Sequence, residues 1–386
     1  GLKGRQRKSR YLRTPPGSVT SYLYVSAAFW RRRRAAERRY DPAMAANRWL
    51  LTVCLAAPLA SLRLNQEQSQ AEPKCPSMFA TITSRPDNIA HRDQIRDMWR
   101  YAGKEWGRIE AKFAVCNAPT LSEAVHNEQK KHGDMLFLDC QEGYLDGMLT
   151  RKVLASMKTY LRDYSDRFDL YMKVDDDTFI SFRRICNILS WRSDQGRSNA
   201  RLYMGVFAEG SHESLLGKHF PDRDPSSPWY EPHETFSGDV YPVSAKGGPG
   251  YILSRHVVEN IVYRGIAERN LLNNEDKGIG VWVDALLQQD IMPVDFVNIP
   301  GTDGYAEHAE SIITTGTYKQ YPHFLHHHLP GSVIHCLNEV DMMHDAEFPI
   351  DGCFELLQTH SEDEEAEVAE TAAVVHEEEI DSAIED

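Results

Sequence analysis

The chain has 386 residues, 41% of them apolar, and a formal net charge of −14; that length admits one large domain or two ordinary ones, and the apolar share is enough for a packed core. The charge is divided, because residues 1–48 carry 13 Lys and Arg against Glu37 and Asp41, while residues 362–386 carry 12 Asp and Glu and no Lys or Arg. The stretch between the two ends is acidic, which excludes a nucleic-acid surface for the main body, since phosphate binding needs a clustered basic face.

In chain order, the first informative segment is the uncharged apolar run Trp49 to Leu62, flanked by Arg48 and Arg63 and preceded by the basic run Arg31 to Arg34. It is shorter than the roughly 20 residues of a membrane span and contains Pro58. Small residues near Ala60 fit a cleavage site. Residues 49–64 are therefore expected to be a secretory signal peptide or a short signal anchor with its Arg-rich side cytoplasmic. The protein is expected in the secretory pathway, in the Golgi lumen as a type II membrane protein or secreted. Met44 opens an ordinary signal layout, so residues 1–48 read as a basic N-terminal extension outside the fold, the part before Met44 being either an upstream extension or a gene-model artefact. Six cysteines follow the apolar run, at 75, 116, 140, 186, 336 and 353. An even number in an exported chain allows disulfides, with 15 connectivities open. None forms a Cys-x-x-Cys, so structural zinc is not expected.

From Lys74 the pattern alternates. Strands are predicted at Met78 to Thr83, Ile109 to Cys116, Met135 to Asp139 and Leu170 to Val174. Helices are predicted at Arg92 to Tyr101, Leu121 to Lys131, Leu149 to Tyr164 and Ser181 to Trp191. Strand and helix in turn imply an α/β fold with a parallel-rich sheet between helices. Residues 210–249 are rich in Pro, Gly, Asp and His and read as long binding loops carrying Trp229 and Tyr230. Helices are predicted again at Ser254 to Ile266 and Asp276 to Gln289, and a strand near Met292 to Val297. The globular domain is assigned to residues 74–358, and the acidic stretch 360–386 to a disordered tail.

The residues most loaded with chemistry are Asp175, Asp176 and Asp177, at the carboxyl end of the predicted strand Leu170 to Val174. Three adjacent carboxylates repel one another, so a cation is expected among them. In extended backbone Asp175 and Asp177 point the same way and offer two hard oxygens to one divalent ion. Ligands in such sheets bind beyond the carboxyl ends of strands. A solvated acidic turn before a helix is the plainer reading of the triplet taken alone.

Four segments in order resemble the signature of glycosyltransferase family 31, the inverting β-1,3-glycosyltransferases with their Fringe and core 1 galactosyltransferase relatives. They are Arg92-Asp93-Gln94-Ile95-Arg96-Asp97-Met98-Trp99, then Lys173-Val174-Asp175-Asp176-Asp177, then Gly247-Gly248-Pro249-Gly250-Tyr251-Ile252-Leu253-Ser254, and Glu275-Asp276-Lys277-Gly278-Ile279-Gly280. Met98 stands where the family has Thr, and Lys277 where it has Val. The resemblance implies a GT-A type nucleotide-sugar transferase fold with a Rossmann-like mixed sheet. It further implies transfer of galactose or N-acetylglucosamine from a UDP-sugar donor to a glycan or glycoprotein hydroxyl, with Mn²⁺ or Mg²⁺ as cofactor. Asp177 and Asp175 are then metal ligands, and Asp176 faces the ribose or donor sugar. One of His326, His327 and His328 completes the metal site, with Pro330 in register for His326. Asp276 takes the acceptor's proton, with Glu275 as rival or acceptor contact, or serves as a helix N-cap. Gly248 and Gly250 give the donor close approach to backbone. Arg92 and Arg96, one turn apart, reach phosphate or uridine, or form ion pairs. Trp229 and Tyr230 are assigned to the acceptor. A non-catalytic lectin-like or chaperone protein on the same fold is the alternative, and it has no need of the aspartates or the base.

Overall fold

The computed structural model describes residues 75–116, 121–207, 220–302, 317–319, 321, 323–343, 347, 349–350 and 352–353. The expected signal segment, the basic extension and the acidic tail lie outside these residues. In chain order the elements are β1 (Met78–Thr83), α1 (Ile89–Glu105), β2 (Ile109–Cys116), α2 (Glu123–His132), β3 (Met135–Leu138), α3 (Met148–Asp163), β4 (Leu170–Asp175), β5 (Phe179–Ile180) and α4 (Phe182–Asp194). They continue with β6 (Leu202–Gly205), β7 (Tyr251–Ser254), α5 (Arg255–Tyr263), α6 (Ile266–Arg269), α7 (Glu275–Gln288), β8 (Asp295–Asn298), β9 (Gly301–Thr302), β10 (Leu325–His326) and α8 (Gly331–Met343).

Side-chain alternation decides the layering. In β1, Met78, Ala80 and Ile82 pack on one face of the sheet and Phe79 on the other; in β4, Leu170, Met172 and Val174 share the first face and Tyr171 the second. Strands apolar on both sides need cover on both sides. Residues of α1, α4 and α8 cover the first face, and residues of α3, α5 and α7 the second. The seven-stranded sheet runs β3-β2-β1-β4-β7-β6-β8. β1 pairs in parallel with both β2 and β4, so the strand order reverses beside β1, and a crevice opens at the carboxyl ends of β1 and β4. β7 runs antiparallel to β4 and β6, which makes the sheet mixed, as the family resemblance implies.

The alternating segments before residue 194 form close to their predicted bounds. The predicted helix over 254–266 is two helices, because Gly265 takes a left-handed φ of 62° between α5 and α6. A small second sheet, β5-β10-β9, lies beside the aspartates, with β10 antiparallel to β5. Among the described residues no helix is long and apolar enough to cross a membrane. All six cysteines after the apolar run pair, as Cys75–Cys186, Cys116–Cys140 and Cys336–Cys353. Such bonds form and persist in oxidising compartments, which marks a secretory-pathway protein.

Arg92 and Arg96 correct the sequence reading. The i, i+4 spacing turns both to the inner face of α1, where they are 0% and 2% exposed and share the carboxylate of Glu128 from α2. Arg96 also pairs with Asp134 at 2.8 Å, and Arg92 donates to Ser84 Oγ at 2.8 Å and to the Pro86 carbonyl at 3.1 Å. Neither guanidinium is left to meet a donor phosphate. Their work is to fasten the β1–α1 loop to α2. Burial alone would raise the Glu128 carboxyl, but the two arginines outweigh it and hold it below the usual range. Glu128→Ala leaves two buried cations without their shared partner and should lower unfolding free energy by about 3–5 kcal/mol. Urea denaturation at neutral pH measures this. Because the folded-state pKa is depressed, the wild-type advantage should shrink as the pH falls through that value.

Candidate active site

β4 carries Tyr171, Lys173 and Asp175 on one face, and Lys173 is the charge buried deepest there, at 1% exposed. Its Nζ lies 2.8 Å from Asp175 Oδ1, 3.3 Å from Glu275 Oε2 and 3.0 Å from the Gly247 carbonyl. Burial alone would lower the lysine pKa, but Asp175 and Glu275 together raise it, so the ammonium is kept. Glu275 is buried as well and accepts a hydrogen bond from Tyr251 Oη at 2.6 Å. It is therefore spent on the interior and is not an acceptor-facing group, as the sequence reading had allowed.

β4 ends at Asp175, and Asp176 and Asp177 form a tight turn into β5. The turn divides the triplet. Asp176 turns away from the other two, toward α1: its Oδ2 accepts from Asn88 Nδ2 at 3.2 Å and its carbonyl meets His91 Nε2 at 2.9 Å. Asp175 and Asp177 both face His327, whose Nε2 is 2.9 Å from Asp177 Oδ1 and 3.8 Å from Asp175 Oδ2. His328 Nδ1 lies 3.4 Å from Asp177 Oδ2.

The histidine is thus one residue beyond the expected position. His326 is the last residue of β10 and is fully buried, its Nδ1 against Tyr321 Oη. Strand alternation turns its successor to the opposite side, toward the aspartates. His328 has a left-handed φ of 59°, which bends the chain enough to bring the next imidazole to Asp177 as well. Burial alone would raise the Asp177 carboxyl, but hydrogen bonds from His327 and His328 outweigh that and hold it far below the usual range.

Asp177, His327 and His328 offer ligand atoms within 4.8 Å of one another. Asp175 Oδ1 and Asp177 Oδ1 are buried, with Lys173 Nζ and His327 Nε2 as their respective close partners. Buried carboxylate oxygens with imidazole nitrogens beside them are a donor set that fits a hard or borderline divalent cation such as Mn²⁺.

The glycine turn lies between the aspartate–histidine cluster and the start of α7. A side chain at Gly248 would fall on the His327 ring, and one at Gly250, whose φ is 96°, would lie 2.5 Å from the Lys173 carbonyl. The space that these glycines open is filled by the protein's own histidine and strand rather than left for a donor. A side chain at Gly247 would meet Glu275 and lie 3.2 Å from Asp276 Cβ. Asp276 sits in the first turn of α7, 19% exposed in its side chain. The helix N-cap position is Asn274, and the Lys277 amide is shared, donating to Asp276 Oδ1 at 2.8 Å and to Asn274 Oδ1 at 3.5 Å. Its carboxylate faces Lys277, with Nζ at 3.1 Å.

The loop ahead of α7 is tied to it by a residue the sequence reading passed over. Glu231 is fully buried and accepts from the backbone N–H groups of Asn273, at 2.9 Å, and Asn274, at 3.2 Å. The Tyr230 carbonyl takes a hydrogen bond from Asn273 Nδ2 at 2.9 Å, and Trp229 stands 55% exposed beside it. The structure brings Trp229 and Tyr230 to the start of α7 but records no contact of either with Asp276. Lys152 and Glu142 were also passed over. Lys152 Nζ holds both Glu142 oxygens, at 2.9 and 2.8 Å, and the Ser84 carbonyl at 2.8 Å, which fixes the floor of the crevice at the end of β1. A lysine one turn inside a helix and a lone glutamate in a loop carry no signal in sequence that would pair them.

Acidic groups and histidines at the strand ends of a mixed sheet, with a further carboxylate at the start of α7 next to the same glycine turn, are compatible with a site of the glycosyltransferase class. The sequence pattern of the family described as Galactosyltransferase matches residues 90–293, from α1 past the end of α7. The chain belongs to this family of hexosyltransferases. It is 28% identical over 217 residues to the beta-1,3-galactosyltransferase GALT1 of Arabidopsis thaliana, covering 55% of this chain and 31% of that protein. It is 26% identical over 205 residues to the mouse acetylgalactosaminyl-O-glycosyl-glycoprotein beta-1,3-N-acetylglucosaminyltransferase, covering 50% of this chain and 48% of the relative. The matched region thus spans less than half the length of either relative. A solved glycosyltransferase involved in glycosylation of the major capsid of PBCV-1 is similar at a TM-score of 0.33 and 10% identity, over 69% of this chain and 100% of that one.

The histidine geometry is open to direct test. His327→Ala should weaken Mn²⁺ binding by about tenfold or more, the scale on which metal-site residues act, whereas His326→Gln should change it less than about twofold. Isothermal titration of the purified protein with Mn²⁺ distinguishes them, and equal losses would return the ligand to position 326.

Proposed function

We propose that this protein is a metal-dependent inverting transferase of the secretory-pathway lumen, acting in the Golgi. It moves galactose or N-acetylglucosamine from a UDP-sugar to a hydroxyl of a glycan or glycoprotein acceptor and forms a β-1,3 bond. One observation carries the reading: His327, in contact with Asp175 and Asp177, lies against Gly248, and Asp276 lies against Gly247, so one short turn stands between the aspartate–histidine cluster and the carboxylate of α7. A sugar nucleotide needs both. Relatives with galactosyl and with N-acetylglucosaminyl donors support the class of donor and leave both sugars within it.

Asp175, Asp177 and His327 would hold Mn²⁺, with His328 at the rim, and the bound ion supplies neutralisation of the charge that grows on the departing diphosphate. Asp276 accepts the proton of the acceptor hydroxyl as its oxygen bonds to the anomeric carbon from the face opposite the diphosphate. The bond from that carbon to the diphosphate oxygen breaks, and its electron pair leaves with UDP. Lys173 takes no part in bond making; it keeps Asp175 and the start of α7 at fixed separation. Trp229 lies on the acceptor side, exposed as a sugar-stacking ring would be. A carbohydrate-binding protein without turnover would gain nothing from the buried carboxylates, which cost stability unless they serve a cation or a proton.

Asp276→Asn keeps the shape of the side chain and removes the base. It should reduce transfer by about 10²–10⁴-fold with UDP-sugar affinity nearly unchanged, as expected for loss of general-base catalysis. UDP release from UDP-galactose and UDP-N-acetylglucosamine with Mn²⁺ and a panel of glycan acceptors measures it. Full turnover in Asp276→Asn would remove the base assignment, and no UDP release from the wild type with any donor would leave the carbohydrate-binding reading.

A further inference from the structure

With Arg92 and Arg96 spent on Glu128, and the spaces beside Gly248 and Gly250 filled by His327 and Lys173, the nucleoside of a donor must be held elsewhere. The aspartates and His327 can act only on the diphosphate, through a cation.

The loop between β3 and α3 is fastened at both ends. At its start Cys140 is bonded to Cys116, the last residue of β2. Glu142 accepts from the Cys116 backbone N–H at 2.6 Å, and Lys152 ties the same carboxylate to the Ser84 carbonyl at the end of β1. At the far end Gly147 has a φ of 68°, and a side chain there would lie 2.9 Å from the Leu272 carbonyl ahead of α7. Asp146 has a φ of 52°, which a residue other than glycine keeps only where its surroundings impose it. Between these fastenings Tyr144 and Leu145 stand 60% and 54% exposed. The tyrosine is aimed as well as exposed, because its hydroxyl end is sheltered. Burial, then the charge of Asp175, raise its pKa against the pull of Lys173, and Asp177 and Asp176 add to the rise. Arg85, in the loop after β1, is close enough to feel the same phenol. The hydroxyl thus turns toward the aspartates, and most of the ring is left to solvent.

We propose that Tyr144 is a donor-binding residue whose ring stacks on the uracil of the UDP-sugar. The proposal rests on the reading that the aspartate–histidine cluster holds the diphosphate and Asp276 faces the hexose. With the hexose toward α7, the nucleoside lies on the other side of the diphosphate, toward the ends of β1 and β2. That is where Glu142 seats the loop and where Tyr144 follows it. Uracil is the donor's one flat π-surface, and an aromatic ring holds a base by stacking without hydrogen bonds to its edge. A fastened loop presents the ring ready-placed, so little ordering is lost on binding.

Isothermal titration of the full chain in Mn²⁺ with UDP, UDP-galactose, UDP-N-acetylglucosamine and inorganic pyrophosphate tests this. Tyr144→Ala should weaken UDP by about five- to a hundredfold, the range that loss of one stacked base gives, and change pyrophosphate by less than about twofold. Any UDP-sugar that binds should weaken by the same factor as UDP. Tyr144→Phe keeps the ring and should bind UDP within about twofold of wild type. In ¹H NMR the uracil H5 and H6 signals should move upfield on binding to wild type and to Tyr144→Phe, and that movement should be lost in Tyr144→Ala. Equal UDP affinity in wild type and Tyr144→Ala would overturn the proposal and leave the diphosphate reading standing, even if UDP-sugar affinity fell. An equal loss for UDP and pyrophosphate would overturn it too, since Tyr144 would then only support the metal residues. A wild type that binds neither UDP nor pyrophosphate in Mn²⁺ would remove both readings.

Discussion

The buried ammonium of Lys173 is the interaction on which the site's geometry depends. Carrying an ion into the interior costs several kcal/mol unless its partners are close and well placed, and here they come from three separate stretches of chain. Asp175 comes from the same strand, Gly247 from the turn before β7, and Glu275 from the start of α7. The lysine thus joins the metal-facing wall to the helix bearing Asp276, residues a hundred positions apart. The trio of Lys173, Asp175 and Glu275 carries one more negative charge than positive, and burial pushes both carboxyls up. A divalent cation at the outer side of Asp175 would relieve that excess, so the internal ion pair and the proposed metal site would stabilise each other.

The glycine turn is the second constraint. Its residues do not open a hole for a ligand. They allow three parts of the protein to meet: the His327 ring over Gly248, the Lys173 backbone beneath Gly250, and the start of α7 against Gly247.

Much of this was legible in the sequence, and the part that was not has physical reasons. The strands and helices up to α4 announce themselves by period, since each is long enough to bury a face. β6 and β7 are four residues each and bounded by glycines, too short for alternation to register. The aspartate triplet taken alone read more plainly as an acidic turn and became a candidate cation site only beside the other motifs; its division into Asp175 and Asp177 against Asp176 follows from a turn as well as from a strand. The histidine that meets both aspartates is one residue beyond the expected one, because β10 is only two residues long and which of three consecutive imidazoles faces them depends on pairing with β5 and β9. Arg92 and Arg96 read equally well as ligand-binding or structural groups; only the long-range arrival of Glu128 decides between them. Asp276 looked like a helix cap, and Asn274 two positions earlier proved to hold that place.

Glu231 has a consequence for how such a protein can change its acceptor. The segment that presents Trp229 is bolted through that buried carboxylate to the backbone of Asn273 and Asn274, and Arg223 gathers the same segment by donating to the carbonyls of Phe236 and Gly238 at 2.8 and 2.9 Å. The segment and the first turn of α7 are therefore a single inheritable module. A loop transplanted from a relative without its own equivalents of Glu231 and Arg223 would arrive with new sugar contacts but no seat. On this scaffold the exposed Trp229 ring and its buried fasteners form one structural unit.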